Sequence, residues 1–284
     1  MTTVQDGGRV GFAHVGVPRA GALDAAAWGL GNRLVGNGPR AAGLETTVLG
    51  CAVRFTRPAV VAVTGAACAV RVGGRPAAWG APVRVPRGAL LEVGAATYGV
   101  RSYLAVGGGI AVDPVLGSRS TDLLSGLGPP PLADGARLPL GDPEGPPAAV
   151  DAQPYPPLPG AGSGAALALP IVPGPRDDWF TPGALALLRT GTWTVSPQSN
   201  RIGLRTLGPP LERARDGELP SEGMVSGGVQ VPPDGRPVIF LADHPTTGGY
   251  PVIGVVPASS LSAAAQAPPG TPLRFVVLRA PRGG

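Results

Sequence analysis

The sequence contains no lysine, and all 23 of its basic residues are arginine. A Walker A loop needs a lysine on the nucleotide phosphates, and a Schiff-base or pyridoxal-phosphate enzyme needs a lysine amine. A carrier of covalent biotin or lipoate also needs a lysine as its attachment point. None of these mechanisms can therefore reside on this polypeptide.

Cysteine is scarce as well, with only Cys51 and Cys68 in the chain. Both lie in apolar, strand-like runs, a setting that favours a small buried thiol over the alternative of a disulfide or reactive cysteine. No apolar run reaches the roughly 18 residues of a membrane span. The N-terminus lacks the basic start and apolar stretch of a secretory signal, so we expect a cytoplasmic protein.

The formal charge of +5 does not indicate nucleic acid, because aromatic residues make up only 5% of the chain and the arginines are scattered. Clustered cations mark a nucleic-acid footprint. The pattern favours a solvated surface, on which single arginines could still meet small anions.

Glycine and proline are abundant, with 46 and 36 residues, and they punctuate short apolar runs. Many tight turns imply many short strands, so the sequence predicts a mainly β protein with a few short helices. A chain of 284 residues is long enough for two cores. We predict an N-terminal domain at 1–145, a Pro-rich linker at 146–165 and a C-terminal domain at 166–284.

Two helices and a series of strands follow from the local patterns. Helical spacing of leucine and alanine predicts an amphipathic helix over Gly21–Asn37, and another is predicted near Pro182–Arg189. Strands are predicted at Thr47–Phe55, Ala59–Thr64, Cys68–Val72, Leu90–Val93, Val100–Val106, Leu167–Val172, Trp193, Ile202–Leu207, Met224–Val231, Val238–Leu241, Val252–Val256 and Leu273–Leu278.

Two glycine-flanked polar segments of the first half are candidate ligand sites. Asp24 lies just before the predicted helix, where it is either an N-cap or part of an anion or carbonyl site. The run Ser118–Thr121 offers hydroxyls and Arg119 for a carboxylate or phosphate. The alternative for this run is a polar loop that caps a short helix near Asp122.

Two further segments lie in the second half. Arg201 and Arg205 could bind an anion or pair with Glu222 or Glu212 at the surface. A predicted hairpin, turned by Pro232–Arg236, runs into Asp243–Tyr250, where hydroxyls, a carboxylate and an imidazole surround two glycines. This end of the strand is typical of a substrate loop, although a simple Asx turn is the alternative.

Neither metal nor serine-hydrolase chemistry has a recognisable motif. The two histidines, His14 and His244, have no cysteine close in sequence, so no metal site is predicted. No strand leads into a Gly-x-Ser-x-Gly elbow followed by a helix.

Seven segments in order carry a resemblance to a known family. They are Thr2–Arg9, Gly16–Asp24, Gly31–Asn37, Leu44–Thr47, Ala105–Ile110, Leu116–Thr121 and Gln230–Pro251 with its Val-Pro-Pro-Asp-Gly and Thr-Thr-Gly-Gly-Tyr-Pro motifs. The chain resembles, from end to end, the allophanate hydrolase subunit 2-like family, which includes KipA and the 5-oxoprolinase subunit PxpC and is carboxyltransferase-like.

The resemblance implies two cyclophilin-like β-barrel domains and a KipI/PxpB-like partner. Together with a PxpA-like subunit, such a pair opens 5-oxo-L-proline to L-glutamate at the expense of ATP, which we expect to bind with the partner subunits. The alternatives are a carboxyltransferase subunit of a biotin-dependent, urea-type carboxylase, with biotin on a separate carrier, and a KipA-type regulatory antagonist of a KipI-like kinase inhibitor.

For a lactam-opening reaction we hypothesise that Asp243 or Glu222 is the general base. Thr246, Thr247 and the adjacent glycine amides would bind the polarised oxygen, and Arg119 and Arg201 would hold an anion. The full set of predicted substrate-binding residues is Arg119, Arg201, Gln230, Thr246, Thr247, Gly248, Tyr250 and Asp24.

Two departures from the family pattern are visible. The family usually has another strand before Thr2, so we expect the first domain to lack an edge strand and to be less stable. The family often has serine where Ala20 stands, so no hydroxyl role transfers to that position.

Overall fold

The computed structural model describes residues 1–148, 166–217 and 219–278. The chain divides into two compact units. One holds Met1–Val10 and the described part of Ala20–Pro156, and the other holds Gly11–Arg19 and the described part of Pro157–Gly284. Most of the predicted linker at 146–165 lies outside the described residues, so that boundary stays a prediction.

The first unit is built on one seven-stranded antiparallel sheet. Its central path runs β1-β2-β7-β4-β5, with β3 added on β7 and β6 on β4. The elements are β1 (Thr2–Gln5), α1 (Ala25–Leu34), β2 (Gly43–Thr47), β3 (Cys51–Arg54), β4 (Ala59–Val72), β5 (Arg75–Ala77), β6 (Val83–Val85) and β7 (Leu90–Val106).

The second unit contains a closed barrel in the order β10-β13-β12-β15-β8-β16-β9, and β11 and β14 form a separate two-stranded ladder. The elements are β8 (Leu167–Pro173), α2 (Pro182–Thr190), β9 (Trp193–Val195), β10 (Gly203–Leu207), β11 (Glu222–Gly223), β12 (Gly228–Gln230), β13 (Val238–Phe240), β14 (Thr247–Gly248), β15 (Val252–Val255), α3 (Ala258–Ala265) and β16 (Pro272–Val277). The predicted mainly β class is confirmed.

Strand length is where the local patterns fall short. Ala59–Thr64 and Cys68–Val72 belong to the single strand β4, because bulges around Gly65 and Ala67 absorb the interruption without ending the pairing with β7. Gly65 has a φ of 84°, and a Cβ there would collide with the Arg101 carbonyl oxygen and lie 2.9 Å from the Tyr103 ring, so only glycine fits. Conversely, the predicted strand Thr47–Phe55 is broken by a turn at Val48–Gly50.

Each unit has its own apolar core. In the first, β-strand valines and leucines such as Val61, Leu91 and Leu104 are completely or almost completely buried. In the second, Trp193 packs edge-to-face on Phe275 at a centroid distance of 5.5 Å. These rigid strands place the polar loops described next. None of the helices in the described ranges is long and apolar enough to cross a membrane.

Candidate functional site

A buried ion pair anchors the polar loops of the second unit. Arg201 precedes β10 and Asp243 follows β13, and the antiparallel register that pairs Gly203 with Phe240 brings the two side chains together. The guanidinium donates through Nε to Oδ2 at 3.0 Å and through Nη2 to Oδ1 at 2.9 Å. Both side chains have zero exposure. The predicted surface pairing of Arg201 with Glu222 or Glu212 is thus wrong, because the strand register gives it Asp243.

The pair limits what Asp243 can do as a base. Each of its carboxylate oxygens already accepts a charge-assisted hydrogen bond from Arg201. Its role as general base stays a prediction, as does the anion-binding role of Arg201. The geometry favours a positioning role for both, holding the start of the 243–250 loop.

His244 follows in this loop and stacks on Phe240 at a centroid distance of 5.7 Å. The side chain is buried, and that burial lowers the pKa of the imidazole below its usual 6.5, partly offset by the hydrogen bond to the Pro245 carbonyl. When the neutral ring donates from Nδ1 to that carbonyl, at 2.7 Å, Nε2 is left as a proton acceptor. His244 is therefore a candidate base, whereas the sequence pattern includes its imidazole in the substrate loop and the role of base is predicted for Asp243 or Glu222.

The segment Thr246–Tyr250, which we call the TTGGY loop, carries four of the eight predicted substrate-binding residues. Its Thr247 and Gly248 form β14 and pair with β11, with Glu222 opposite Gly248. A Cβ at Gly248 would lie 2.9 Å from Nε2 of Gln230 and 3.3 Å from Sδ of Met224. Glycine at this position therefore allows the loop to approach the floor made by β12.

Gln230 fastens the end of the TTGGY loop, since its buried amide donates from Nε2 to the Tyr250 carbonyl at 3.2 Å. The Tyr250 ring lies under the Arg213 guanidinium at 5.7 Å. Within the described residues, the hydroxyls of Thr246, Thr247 and Tyr250 make no hydrogen bond. Three hydroxyls on one short loop are thus available to a ligand.

Glu222 lies beside this loop and is held by Arg176, which donates from Nε at 3.1 Å and also from Nη2. These bonds lower the pKa of the Glu222 carboxyl from its usual value. A carboxylate with a lowered pKa is a weaker base, so the arrangement suits orientation of a donor better than proton abstraction. Its predicted catalytic role remains a prediction.

In the first unit, the Ser118–Thr121 run does bind a carboxylate, but one that belongs to the chain. Asp6 accepts from the hydroxyls of Ser118 and Ser120 at 2.6 Å each and from the backbone N–H of Arg119 at 2.6 Å. Gly8 adds a fourth donor at 2.8 Å. The serines are therefore engaged internally.

The guanidinium of Arg119 is more open. Its Nε donates to the Val112 carbonyl at 2.8 Å, and its terminal nitrogens have no hydrogen-bond partner among the described residues. The side chain is half-buried. The predicted anion-binding role of Arg119 is compatible with this position and stays a prediction.

Asp24 caps helix α1, as the simpler of its two interpretations requires. Its Oδ1 accepts from the Ala27 N–H at 3.0 Å, and its own N–H donates to the hydroxyl of Tyr103 at 2.8 Å. That hydroxyl donates in turn to Glu45 at 2.8 Å. Burial, with Glu45 nearby, raises the pKa of Tyr103 well above 10, so the phenol stays protonated. A substrate-binding role for Asp24 stays a prediction.

The structure brings eight predicted site residues together in the second unit and places the other two, Asp24 and Arg119, in the first. The second-unit set is Arg201, Glu222, Gln230, Asp243, Thr246, Thr247, Gly248 and Tyr250. Residue-type reasoning missed Arg176 and Arg213, which contact Glu222 and Tyr250. No local signal marks either arginine, since both contacts join distant parts of the chain. In the described ranges, no three His, Cys, Asp or Glu side chains could together hold a metal ion.

The sequence places this scaffold in a known family. The carboxyltransferase domain, subdomain A and B, matches residues 15–277. The chain therefore belongs to the carboxyltransferase subdomain A and B family, which confirms the family resemblance of the motifs.

Individual proteins similar to this chain are known both from sequence and from solved structures. The chain is 40% identical over 278 residues to a 5-oxoprolinase subunit of Escherichia coli, covering 97% of this chain and 87% of that protein. The crystal structure of TTHA0988 matches with a TM-score of 0.85 and 38% identity, over 97% of this chain and 53% of that one. The Kluyveromyces lactis urea carboxylase structure matches with a TM-score of 0.86 and 30% identity, over 98% and 26%. The chain thus spans about half or less of the two solved proteins.

Proposed function

We propose that the protein is a 5-oxoprolinase subunit of the PxpC type that acts in the cytoplasm with KipI/PxpB-like and PxpA-like partners to open 5-oxo-L-proline to L-glutamate. The observation that carries the proposal is the 40% identity to the Escherichia coli 5-oxoprolinase subunit over 97% of this chain and 87% of that protein. The urea carboxylase relative matches the chain as a small part of a longer polypeptide, whereas the Escherichia coli protein matches it over nearly its whole length.

In this proposal the TTGGY loop holds the lactam. An amide oxygen that gains negative charge is stabilised by pre-organised donors, and the hydroxyls of Thr246, Thr247 and Tyr250 are the donors this loop leaves open. Gln230 holds the end of this loop, and the buried Arg201–Asp243 pair holds the chain three residues before its start. The neutral imidazole of His244 has an acceptor nitrogen for the proton of an attacking water.

ATP enters with the partner subunits in this proposal. The chain has no lysine, which excludes a Walker A site on it. Bound ATP would supply activation of the lactam carbonyl, and this chain would bind and orient the amide.

Coexpression with the two partner subunits tests the proposal, with 5-oxoproline-dependent ATP hydrolysis and glutamate release as readouts. We expect both activities from the assembly, and a loss of turnover on the order of 10²-fold in Thr247→Ala because one donor to the developing charge is gone. Thr190→Ala is the matched control, since Thr190 lies on α2 and its hydroxyl bonds its own helix. An assembly that forms but shows no 5-oxoproline-dependent turnover would contradict the proposal and favour the KipA-type regulatory role.

A urea-type carboxyltransferase subunit is the second candidate, favoured by the TM-score of 0.86 to urea carboxylase over 98% of this chain. It would use biotin on a separate carrier. Transfer of carboxyl from a carboxybiotin carrier to urea, in an assembly inactive on 5-oxoproline, would decide for this candidate.

A further inference from the structure

A cavity in the first unit has the features of a ligand site and takes no part in the function proposed above. It has a volume of about 330 Å³ and lies where the end of α1 meets β4 and β6. Its walls are Val35, the segments Pro58–Val60 and Arg84–Pro86, and Leu140 with the prolines that follow it. Small-molecule sites are typically concave and apolar, with a few polar groups, from about 300 Å³ upward.

Both charged side chains that line this cavity are arginines. Arg57 and Arg84 line it, and no carboxylate of the described residues does. Arg57 is already occupied, since it donates to the carbonyls of Leu140 and Gly141 and lies 3.5 Å from Asp142. Glu144, the next carboxylate along, accepts from the N–H of Gly38 at 3.0 Å.

Arg84 is different, because its exposed guanidinium makes no hydrogen bond or ion pair with any described residue. It lies opposite Val60 in the β4–β6 pairing. A guanidinium at the mouth of an apolar cavity is well suited to a carboxylate, which it can bind through two parallel hydrogen bonds. Low-dielectric walls also focus the field of a single charge into the cavity.

We propose that this cavity binds a small amphipathic carboxylate, with its apolar body against Val60 and the prolines and its carboxylate on Arg84. The charge decides between ligand classes: an amine of the same shape would meet the like charge of Arg84, and an alcohol would lose the charge-assisted bond. The site therefore discriminates by head group more than by the shape of the apolar body.

Titration of the full chain with phenylacetate, 2-phenylethanol and 2-phenylethylamine, followed by ligand-observed NMR, tests the proposal. We expect saturable binding of phenylacetate, weaker binding of the alcohol and none of the amine. Arg84→Gln should weaken phenylacetate about tenfold, the loss of one charge-assisted contact. Arg75→Gln, another exposed arginine on the neighbouring β5, is the matched control and should bind as the wild type does.

Val60→Phe gives a second test, because the larger side chain should fill the floor of the cavity and reduce binding of acid and alcohol alike. Near-ultraviolet circular dichroism checks that each variant is folded. Three results would overturn the proposal: equal phenylacetate affinity in wild type and Arg84→Gln, amine binding as tight as acid binding, or no saturation up to about 10 mM, the weakest binding expected of a ligand this size. None of these readouts depends on 5-oxoproline turnover.

Discussion

Each unit holds a buried aspartate among hydrogen-bond donors, but the donors differ. In the first unit Asp6 is 5% exposed and accepts from neutral groups, the hydroxyls of Ser118 and Ser120 and two backbone N–H groups. In the second unit Asp243 has zero exposure and faces the guanidinium of Arg201. One carboxylate is held by dipoles and the other by a formal charge.

The difference explains why similar polar segments can play different roles. A pocket of neutral donors that could bind a substrate anion is filled by Asp6, so the serines of that segment are not available to a ligand. In the Arg201–Asp243 ion pair, by contrast, the carboxylate accepts from the guanidinium and uses no hydroxyl of the TTGGY loop. Those hydroxyls are therefore available to a ligand. Polar residue types alone do not separate these cases, because the partner decides whether a donor is free.

Breaking the ion pair should give the largest effect. Asp243→Asn and Arg201→Leu each leave a buried group without its partner, and we expect a loss of about 3–5 kcal/mol in the free energy of unfolding. The double variant Arg201→Leu/Asp243→Leu should be more stable than either single variant, since neither charge of the pair is left buried alone. Urea denaturation measures all three.

Arg215→Gln is the control for this experiment. Arg215 pairs with Asp178 at 2.8 Å on the exposed surface, so its loss should cost less than about 1 kcal/mol. If Asp243→Asn destabilised no more than Arg215→Gln, the buried pair would not be the anchor of the loop.

Replacing Asp6 should give the next largest effect. Asp6→Ala leaves several buried donors without an acceptor. We expect a loss of about 3 kcal/mol in the free energy of unfolding, at the upper end of the cost of an unsatisfied buried group. Asp6→Asn should cost less, because the amide oxygen still accepts and no opposite charge is left unpaired. An Asp6→Asn variant as unstable as Asp243→Asn would show that the negative charge matters in both units, and the contrast between them would fail.

Features that depend on neighbours in sequence were predictable. The cap of Asp24 on Ala27, the hairpin between β12 and β13 and the helix α2 each follow from residues a few positions apart. The residues of the TTGGY loop were selected as candidates for the same reason, since hydroxyls and glycines at the end of a strand form a local pattern.

Features that depend on register were not predictable from the local pattern. Ser118 bonds Asp6 across 112 positions, and Arg176 bonds Glu222 across 46. Both contacts exist because distant segments lie side by side in the folded chain, which no spacing in the sequence encodes. Whether a donor is occupied or open is therefore the property of a site that needs the structure.

The smallest expected effect is a dependence of the free energy of unfolding on pH, which arises from His244 in the second unit. Burial lowers the pKa of His244 below the 6.5 of the unfolded chain. As the pH falls through 6.5, the unfolded state takes up a proton before the folded state does, so the folded state loses stability until its own lower pKa is reached. The stability that the neutral, buried His244 contributes is fully present above pH 6.5.

Urea denaturation between about pH 7.5 and 5.5, where histidine is the side chain that normally titrates, measures this contribution. His244→Gln should flatten the profile, whereas His14→Gln, which keeps the buried imidazole, should follow the wild type. The same ring is the candidate proton acceptor of the site, so its neutral form at pH 7 is the form that catalysis would need. A His244→Gln profile with the wild-type slope would place the titrating group elsewhere and remove the physical basis for a neutral acceptor beside the TTGGY loop.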